Sequence, residues 1–199
     1  MDQTEAPHAR DGLMAIPLHT GISRVLIDEA TLRQRVEELG REIGGVFTVC
    51  RPLLLGILTG GFLFMSGLEP AVAIPLKVQF MAISSYGDAT QTSGVVRILK
   101  DLDCAITGEH VLIVEDIIDS GLTLSYLIDV LQRRNPADIR VVALLEKQRD
   151  RDRPVVADWV GFRIPDEFVI GYGLDVAGKY RNLPFIGVAD PAAIEATDP

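Results

Sequence analysis

Val111-Leu-Ile-Val114 constrains this chain more than any other stretch. Four consecutive apolar residues without polar alternation are the pattern of a strand buried on both faces, which requires layers packed above and below a sheet. Glu115, Asp116 and Asp119 follow directly, then Ser120-Gly121-Leu122-Thr123, then an apolar stripe at Leu124, Leu127, Ile128 and Leu131 that predicts a helix. N–H groups of residues 120–123 at the helix start, with the Ser120 and Thr123 hydroxyls, suit a phosphate, and Gly121 permits close approach without a Cβ. Taken alone, acids at a strand end are as readily explained by solvation. Joined to a small-residue turn, they point to a sugar-phosphate site, with hydroxyls or metal on the carboxylates and phosphate on the main chain.

The rest of the chain supplies the layers. Asp28 is a helix N-cap candidate, and Leu32, Val36, Leu39 and Ile43, at spacings of four, three and four, predict a helix to about Ile43. Pro52–Leu58 predicts a central strand stopped by Thr59-Gly60-Gly61, and Phe62–Leu68 a helix that ends before Pro70. Leu76–Ile83 and Gly94–Leu99 are strand-like, and the polar stretch Ser84–Ser93 between them is expected to be a mobile loop. The helix after the motif should stop at Asn135, ahead of Pro136. Ile139–Leu145 predicts another buried strand, and Glu146–Arg153 a solvated connection. Val160–Pro165, Phe168–Gly173 and Leu183–Val188 read as short strands of a cap over the sheet rim, and a further short strand is expected near Leu13–Ile16.

Alternating strands and helices imply an α/β fold: a parallel sheet with helices on both faces. Such sheets bind ligands beyond the carboxyl ends of their strands, where Thr59-Gly60-Gly61, Glu115–Thr123 and Lys147 all fall. At 199 residues the chain is expected to be a single domain, with a core over about 22–155, a C-terminal cap over about 156–190, and flexible tails at 1–10 and 190–199.

A formal net charge of −9 argues against a nucleic-acid partner, since phosphate backbones need clustered Lys and Arg. The apolar runs are too short to span a bilayer, and the N-terminus lacks a basic region followed by an apolar core, so neither a membrane partner nor a secretory signal is expected. Cys50 and Cys104 are isolated from each other and from the three histidines, which leaves no metal-ligand spacing and sets a reducing, cytoplasmic setting as the expectation. Gly173-Leu-Asp-Val-Ala-Gly-Lys-Tyr180 nearly matches a P-loop, but Tyr180 lacks the hydroxyl placement for magnesium and Pro184 blocks a following helix.

Residues 111–123 resemble the phosphoribosyl pyrophosphate motif of type I phosphoribosyltransferases, and Glu115-Asp116 with Ile117-Ile-Asp-Ser-Gly121 is similar to the hypoxanthine-guanine branch. The resemblance runs from about Asp28 to Val188. It includes Lys147 after Leu-Leu-Glu146, the stretch Ile164–Asp175, Tyr180-Arg181-Asn-Leu183, and Ser85-Tyr86 where the family carries a closing loop. It implies a parallel-sheet core with a small hood built from the C-terminal segment and N-terminal residues. It further implies transfer of the phosphoribosyl group to hypoxanthine or guanine, giving IMP or GMP, with Mg2+ as cofactor.

Under the resemblance, Glu115 and Asp116 take the ribose hydroxyls, directly or through magnesium, and residues 120–123 take the 5′-phosphate. Asp119 lies near N7 of the base as general base or acid, a role compatible with its also capping the helix. Lys147 donates to the 6-oxygen, Phe168 stacks on the base and the Val169 backbone bonds its edge. Thr59, Gly60 and Arg181 contact pyrophosphate, Asp175 holds a second magnesium, and Ser85 and Tyr86 belong to the lid. A homodimer or homotetramer is implied as well. Thr59 stands where many members have a lysine, which removes a charge and leaves open whether the Leu58–Thr59 peptide is cis as in relatives. Leu122 replaces a residue that is polar in some relatives, at a position that offers mainly its N–H. Two alternatives stay open from the residues: a xanthine-preferring enzyme, and a regulator that senses the ligand without turning it over.

Overall fold

The computed structural model describes residues 21–86, 95–149 and 155–191. The expected strand near Leu13–Ile16, the 1–10 tail, the 190–199 tail after Pro191 and most of the 84–93 loop lie outside the described residues.

The chain runs β1 (Ile22–Ile27), α1 (Glu29–Val46), β2 (Pro52–Leu58), α2 (Gly61–Ala71), β3 (Lys77–Tyr86), β4 (Val95–Lys100), β5 (His110–Ile118), α3 (Leu122–Gln132), β6 (Asp138–Lys147), β7 (Trp159–Ile164), β8 (Val169–Ile170) and β9 (Ile186–Ala189). Six strands form one sheet in the order β4-β3-β2-β5-β6-β7. All neighbours are parallel except β3 and β4.

Side-chain alternation along the buried strands divides the core in two. Leu54, Leu112, Val114, Val142 and Leu144 face α1 and α2. Leu53, Leu55, Ile57, Val111, Ile113, Val141 and Ala143 face α3. Helices therefore cover both faces, as expected for strands with continuous apolar runs. Truncating one of these fully buried leucines, such as Leu112→Ala, removes packing worth about 2–5 kcal/mol.

β1, β9 and β8 form a separate antiparallel sheet with β9 in the centre. This is the hood, drawn from both ends of the described chain. Ile170, Leu183, Phe185 and Ala189 form its own small core.

Local chemistry explains most boundaries. Asp28 caps α1 by accepting from Thr31 N at 2.9 Å and from Thr31 Oγ1, bonds that lower its proton affinity. Several boundaries differ from expectation. α2 passes through Pro70 and ends one residue later, because a ring in the last turn removes only one bond at a terminus. β6 continues to Lys147 instead of ending at Leu145, since Glu146 and Lys147 still pair with Arg163 and Ile164 of β7. α3 ends at Gln132, and the turn to Pro136 uses Asn135 at φ 54. β7, read above as part of the cap, instead joins the main sheet beside β6. Arg35 of α1 fastens it there by donating to the Gly161 and Val160 carbonyls at 3.2 and 3.1 Å. No helix among the described residues is long and apolar enough to cross a membrane.

Candidate active site

β2 and β5 are neighbours from which the sheet order proceeds in opposite directions, β3 beyond one and β6 beyond the other. Loops leaving such a pair diverge and leave a crevice at their carboxyl ends. The segments that follow β2 and β5 are Thr59-Gly60-Gly61 and Asp119–Gly121.

The Leu58–Thr59 peptide is cis despite the absence of a lysine at residue 59. Thr59 is exposed and its carbonyl accepts from Phe62 N at 3.3 Å. Gly60 is clasped from two sides. A Cβ there would collide with the Asp116 carboxylate, and a Cβ on Gly173, whose φ is +102, would collide with the Gly60 carbonyl. The β2 loop, the acid of β5 and the hood turn are thus in direct contact, and only glycines allow it.

Glu115 and Asp116 lie inside β5, not past its end as the sequence suggested. The strand keeps its pairing with β6 through Ile118. Both residues are intermediate in overall exposure, yet Glu115 Oε2 is sealed from solvent and has no hydrogen-bond partner among the described residues. Burial, reinforced by the neighbouring Asp116 charge, pushes the Glu115 carboxyl well above the usual range. Asp116 is pushed up to about 6, chiefly by burial; its hydrogen bond from Ile117 N at 2.9 Å and the Arg181 charge oppose the rise, and Asp175 adds to it.

The turn after β5 is shaped by Gly121, which caps α3 at φ 78 and ψ −5. No side chain caps α3, and its first turn holds no acid. Asp119 is therefore not the helix N-cap. Ser120 Oγ accepts from Leu122 N at a long 3.4 Å. A small cavity of about 120 Å³ opens here, lined by Glu115, Asp119, Ser120, Gly121 and Thr123 among others. A helix N-terminus whose cap residue, Gly121, has no side chain leaves most of its first N–H groups open to an anion beside the cavity.

Asp119 turns instead toward β6. Its Oδ2 accepts from Lys147 Nζ at 3.0 Å and its Oδ1 from Arg149 Nη1 at 2.7 Å. Asp166, after β7, lies 3.4 Å from Lys147 Nζ and 3.7 Å from Arg149 Nη1. Lys147 is only 11% exposed, so it is not the solvated strand-end lysine of the plainer reading. Arg149 and Asp166 were not singled out from the sequence: one sits in a charge run that reads as solvated connection, the other in a turn. Only the i, i+2 spacing from Lys147 hinted at Arg149.

Phe168 is 47% exposed, while Val169 is buried and registers with Val188 in the hood sheet. The Phe168 carbonyl accepts from Ala189 N at 2.9 Å. Arg24 of β1 donates through Nη2 to both Glu167 oxygens, at 2.6 and 2.7 Å, and ties the residue before Phe168 to the hood. Asp175 pairs with Arg181 Nη2 at 2.7 Å and accepts from Gly178 N at 2.7 Å, while Arg181 Nη1 donates to the Gly173 carbonyl. The P-loop look-alike forms two isolated bridges, Gly171↔Leu174 and Val176↔Lys179, and no helix follows it.

Ser85 and Tyr86 are strand residues of β3, paired with Val96 and Val95 of β4, so the connecting loop begins later than Ser84. An antiparallel ribbon satisfies its own backbone and needs no apolar run to persist. Residues 87–94 lie outside the described residues. Among the described residues, no three His, Cys, Asp or Glu side chains gather to hold a metal ion, so an all-protein metal cage is absent there.

Comparison with known proteins agrees with this geometry. A family model described as "Phosphoribosyl transferase domain" matches residues 32–177. The chain is 47% identical over 175 residues to the hypoxanthine-guanine phosphoribosyltransferase of Bacillus subtilis, covering 88% of this chain and 97% of that protein. It is 47% identical over 176 residues to the enzyme of the same name from Mycobacterium tuberculosis, covering 85% of this chain and 87% of that protein. Among solved structures, a hypoxanthine phosphoribosyltransferase from Staphylococcus aureus superposes with a TM-score of 0.85 at 38% identity, covering 91% of this chain and 98% of that one. The Trypanosoma cruzi hypoxanthine phosphoribosyltransferase in complex with its product IMP gives 0.80 at 38% identity, covering 87% and 97%. With the matched region running from α1 into the hood, the chain belongs to the phosphoribosyl transferase domain family.

Proposed function

We propose that this protein is a purine-salvage transferase that moves the phosphoribosyl group of 5-phosphoribosyl 1-pyrophosphate to hypoxanthine or guanine, forming IMP or GMP and releasing pyrophosphate. One observation carries the choice of base: a lysine donor and a carboxylate acceptor 3.0 Å apart, Lys147 Nζ and Asp119 Oδ2, with Phe168 half exposed. A 6-oxopurine presents an acceptor and a donor side by side, the 6-oxygen and N7–H. Adenine presents a 6-amino donor to the Lys147 donor, which leaves both unpaired.

In the reaction the purine N9 forms a bond to the ribose anomeric carbon as the bond from that carbon to pyrophosphate breaks. The base's proton at N7 passes to Asp119 Oδ2. The anomeric carbon gains positive character, as in glycoside cleavage, and the departing pyrophosphate gains negative charge. Arg181 and the N–H groups of Thr59 and Gly60 receive that charge. The uncapped start of α3, residues 120–123, holds the 5′-phosphate. Phe168 stacks on the base, the Val169 backbone bonds its edge, and Ser85 and Tyr86 carry the lid that excludes water.

Glu115 and Asp116 fit the ribose hydroxyls. A sealed carboxylate oxygen without a partner, beside a second acid with raised proton affinity, is a pair in want of donors or a cation. The all-oxygen set also fits Mg2+, which keeps waters and substrate phosphates in its shell and needs only one or two carboxylates. Glu115 and Asp116 would hold it through the ribose, and Asp175 would hold a second ion at the pyrophosphate. When bound, magnesium neutralises the pyrophosphate charge as it departs. Retention of both Asp119 and Arg181 favours an enzyme over a sensor, which needs neither a proton acceptor nor a pyrophosphate clamp. The chain is read as one domain, cytoplasmic, acting as a homodimer or homotetramer, a state that light scattering would measure.

Initial rates with magnesium and each of hypoxanthine, guanine, xanthine and adenine test the reading. Hypoxanthine or guanine should turn over at least about 10⁴-fold better than adenine in kcat/KM. A preference for adenine would overturn it, and a preference for xanthine would reassign the base.

A further inference from the structure

The reaction above gives Asp119 and Lys147 a task but none to Arg149, the second cation of the base-site charge cluster. Its Nη1 takes Asp119 Oδ1 at 2.7 Å, the oxygen opposite the one that Lys147 meets at 3.0 Å. Asp166 approaches both cations, at 3.4 Å from Lys147 and 3.7 Å from Arg149. Two cations and two carboxylates therefore alternate around a square. Its corners come from the turn after β5, from β6 and the residues just beyond it, and from the turn after β7.

The carboxylate torsion of an aspartate is soft and two-fold, so one gripped oxygen leaves the group free to swing. Asp119 is gripped at both. With Oδ1 occupied by Arg149, Oδ2 stays beside Lys147, where a 6-oxopurine needs an acceptor next to a donor. A guanidinium suits this task because its planar fork fixes direction, where an ammonium acts as a point charge. Glu167, next in the chain to Asp166, is held by both of its oxygens on Arg24, so the far corner of the square rests on the hood.

We propose that Arg149 is a positioning residue for proton transfer: it fixes the Asp119 carboxylate so that Oδ2 faces the base. The inference rests on the roles given above to Asp119 and Lys147. The bland alternative is a surface ion pair, since Arg149 is 41% exposed, and such pairs contribute little to stability. The two differ in what a substitution moves. A surface pair leaves kcat alone, whereas a positioning residue changes kcat while leaving the melting temperature and the KM for phosphoribosyl pyrophosphate in place.

The test is a double-mutant cycle on the full chain with magnesium and hypoxanthine. Arg149→Ala should lower kcat about 10-fold, a part of what general base catalysis supplies. KM for phosphoribosyl pyrophosphate should stay within about 2-fold, and Arg149→Lys should recover part of the loss. In an Asp119→Asn background the added Arg149→Ala should cost nothing further. Wild-type kcat in Arg149→Ala, or an undiminished loss in the Asp119→Asn background, would overturn the inference. If Arg149→Ala does not fold, Arg149→Gln, which keeps length and a donor without charge, enters the same cycle. Wild-type protein inert toward every 6-oxopurine would instead sink the purine reading itself, a separate result.

Discussion

Asp116 and Asp119 sit three residues apart on the same strand-to-turn segment, and the fold treats their carboxylates in opposite ways. Asp116 and Glu115 are enclosed without a cation in hydrogen-bond contact among the described residues, and burial raises the proton affinity of both. Asp119 is served by Lys147 and Arg149, one on each oxygen. The difference separates two kinds of readiness. The Asp119 side, proposed above to take the base, has its carboxylate paired with two cations before any ligand arrives. Under the proposed function, the Glu115-Asp116 side would be completed by hydroxyl donors and a cation brought by the ligand. Protein stability is traded at the second place and preserved at the first.

Substitution at each acid tests this contrast, and Asp119→Asn should have the largest effect. Removing the proton acceptor while keeping the shape should lower kcat by 10²–10⁴-fold or so, with IMP binding retained by calorimetry. A loss of binding equal to the loss of rate would mean that Asp119 holds ligand and does no proton transfer.

Asp116→Asn should act in the other direction on stability. Burial raises the proton affinity of Asp116 in the folded state, from 3.8 to about 6. Below 3.8 the carboxyl is protonated both folded and unfolded and costs nothing. As pH rises from 3.8 toward about 6 the unfolded carboxyl ionises while the buried one keeps its proton, so the folded state loses stability across that window and levels off above it. Ligand-free Asp116→Asn should therefore be more stable than wild type at pH 7.5, by about 3 kcal/mol at most, and the gap should nearly close by pH 4. Denaturant melts at both pH values measure it. Asp119→Asn should show no such gain, and equal gains at both positions would erase the contrast.

The smallest effect concerns the main chain just after them. Gly121→Ala places a Cβ on a residue at φ 78 and should cost about 1 kcal/mol, read from the same melts. A neutral result would mean that the turn relaxes freely and that its N–H groups are not rigidly aimed.

Some of this was plain in the sequence and some was not, for physical reasons. β2 was read to the residue because its apolar run is bracketed by Pro52 and by Thr59-Gly60-Gly61. α1 followed from its stripe and the Asp28 cap. β5 was cut short because Glu115 and Asp116 are polar, and polarity is read as exposure unless a ligand site gives acids a reason to stay in a buried strand. β7 looked like part of the cap because a short strand carries no sign of which sheet it joins; its partner β6 lies across a connection outside a simple periodic pattern. Glu115, Asp116, Asp119 and Lys147 were singled out through their motif and resemblance. Arg149 and Asp166 were not, since their meaning lies in pairing between separate turns, 30 residues from Asp119 in the case of Arg149.

The strand order of the hood has a consequence for the growing chain on the ribosome. β9, the last strand of the described chain, lies between β1 and β8 and is the only strand that joins them. The central strands, β2 through β7, can therefore assemble from residues already synthesised, while Phe168 and Val169, proposed above to hold the base, wait for residue 189 to emerge. On the proposed roles, a nascent chain would form the turn before α3 well before the segment that selects the base, and a chain interrupted shortly after β7 would keep the proposed phosphate site and lose the proposed base site.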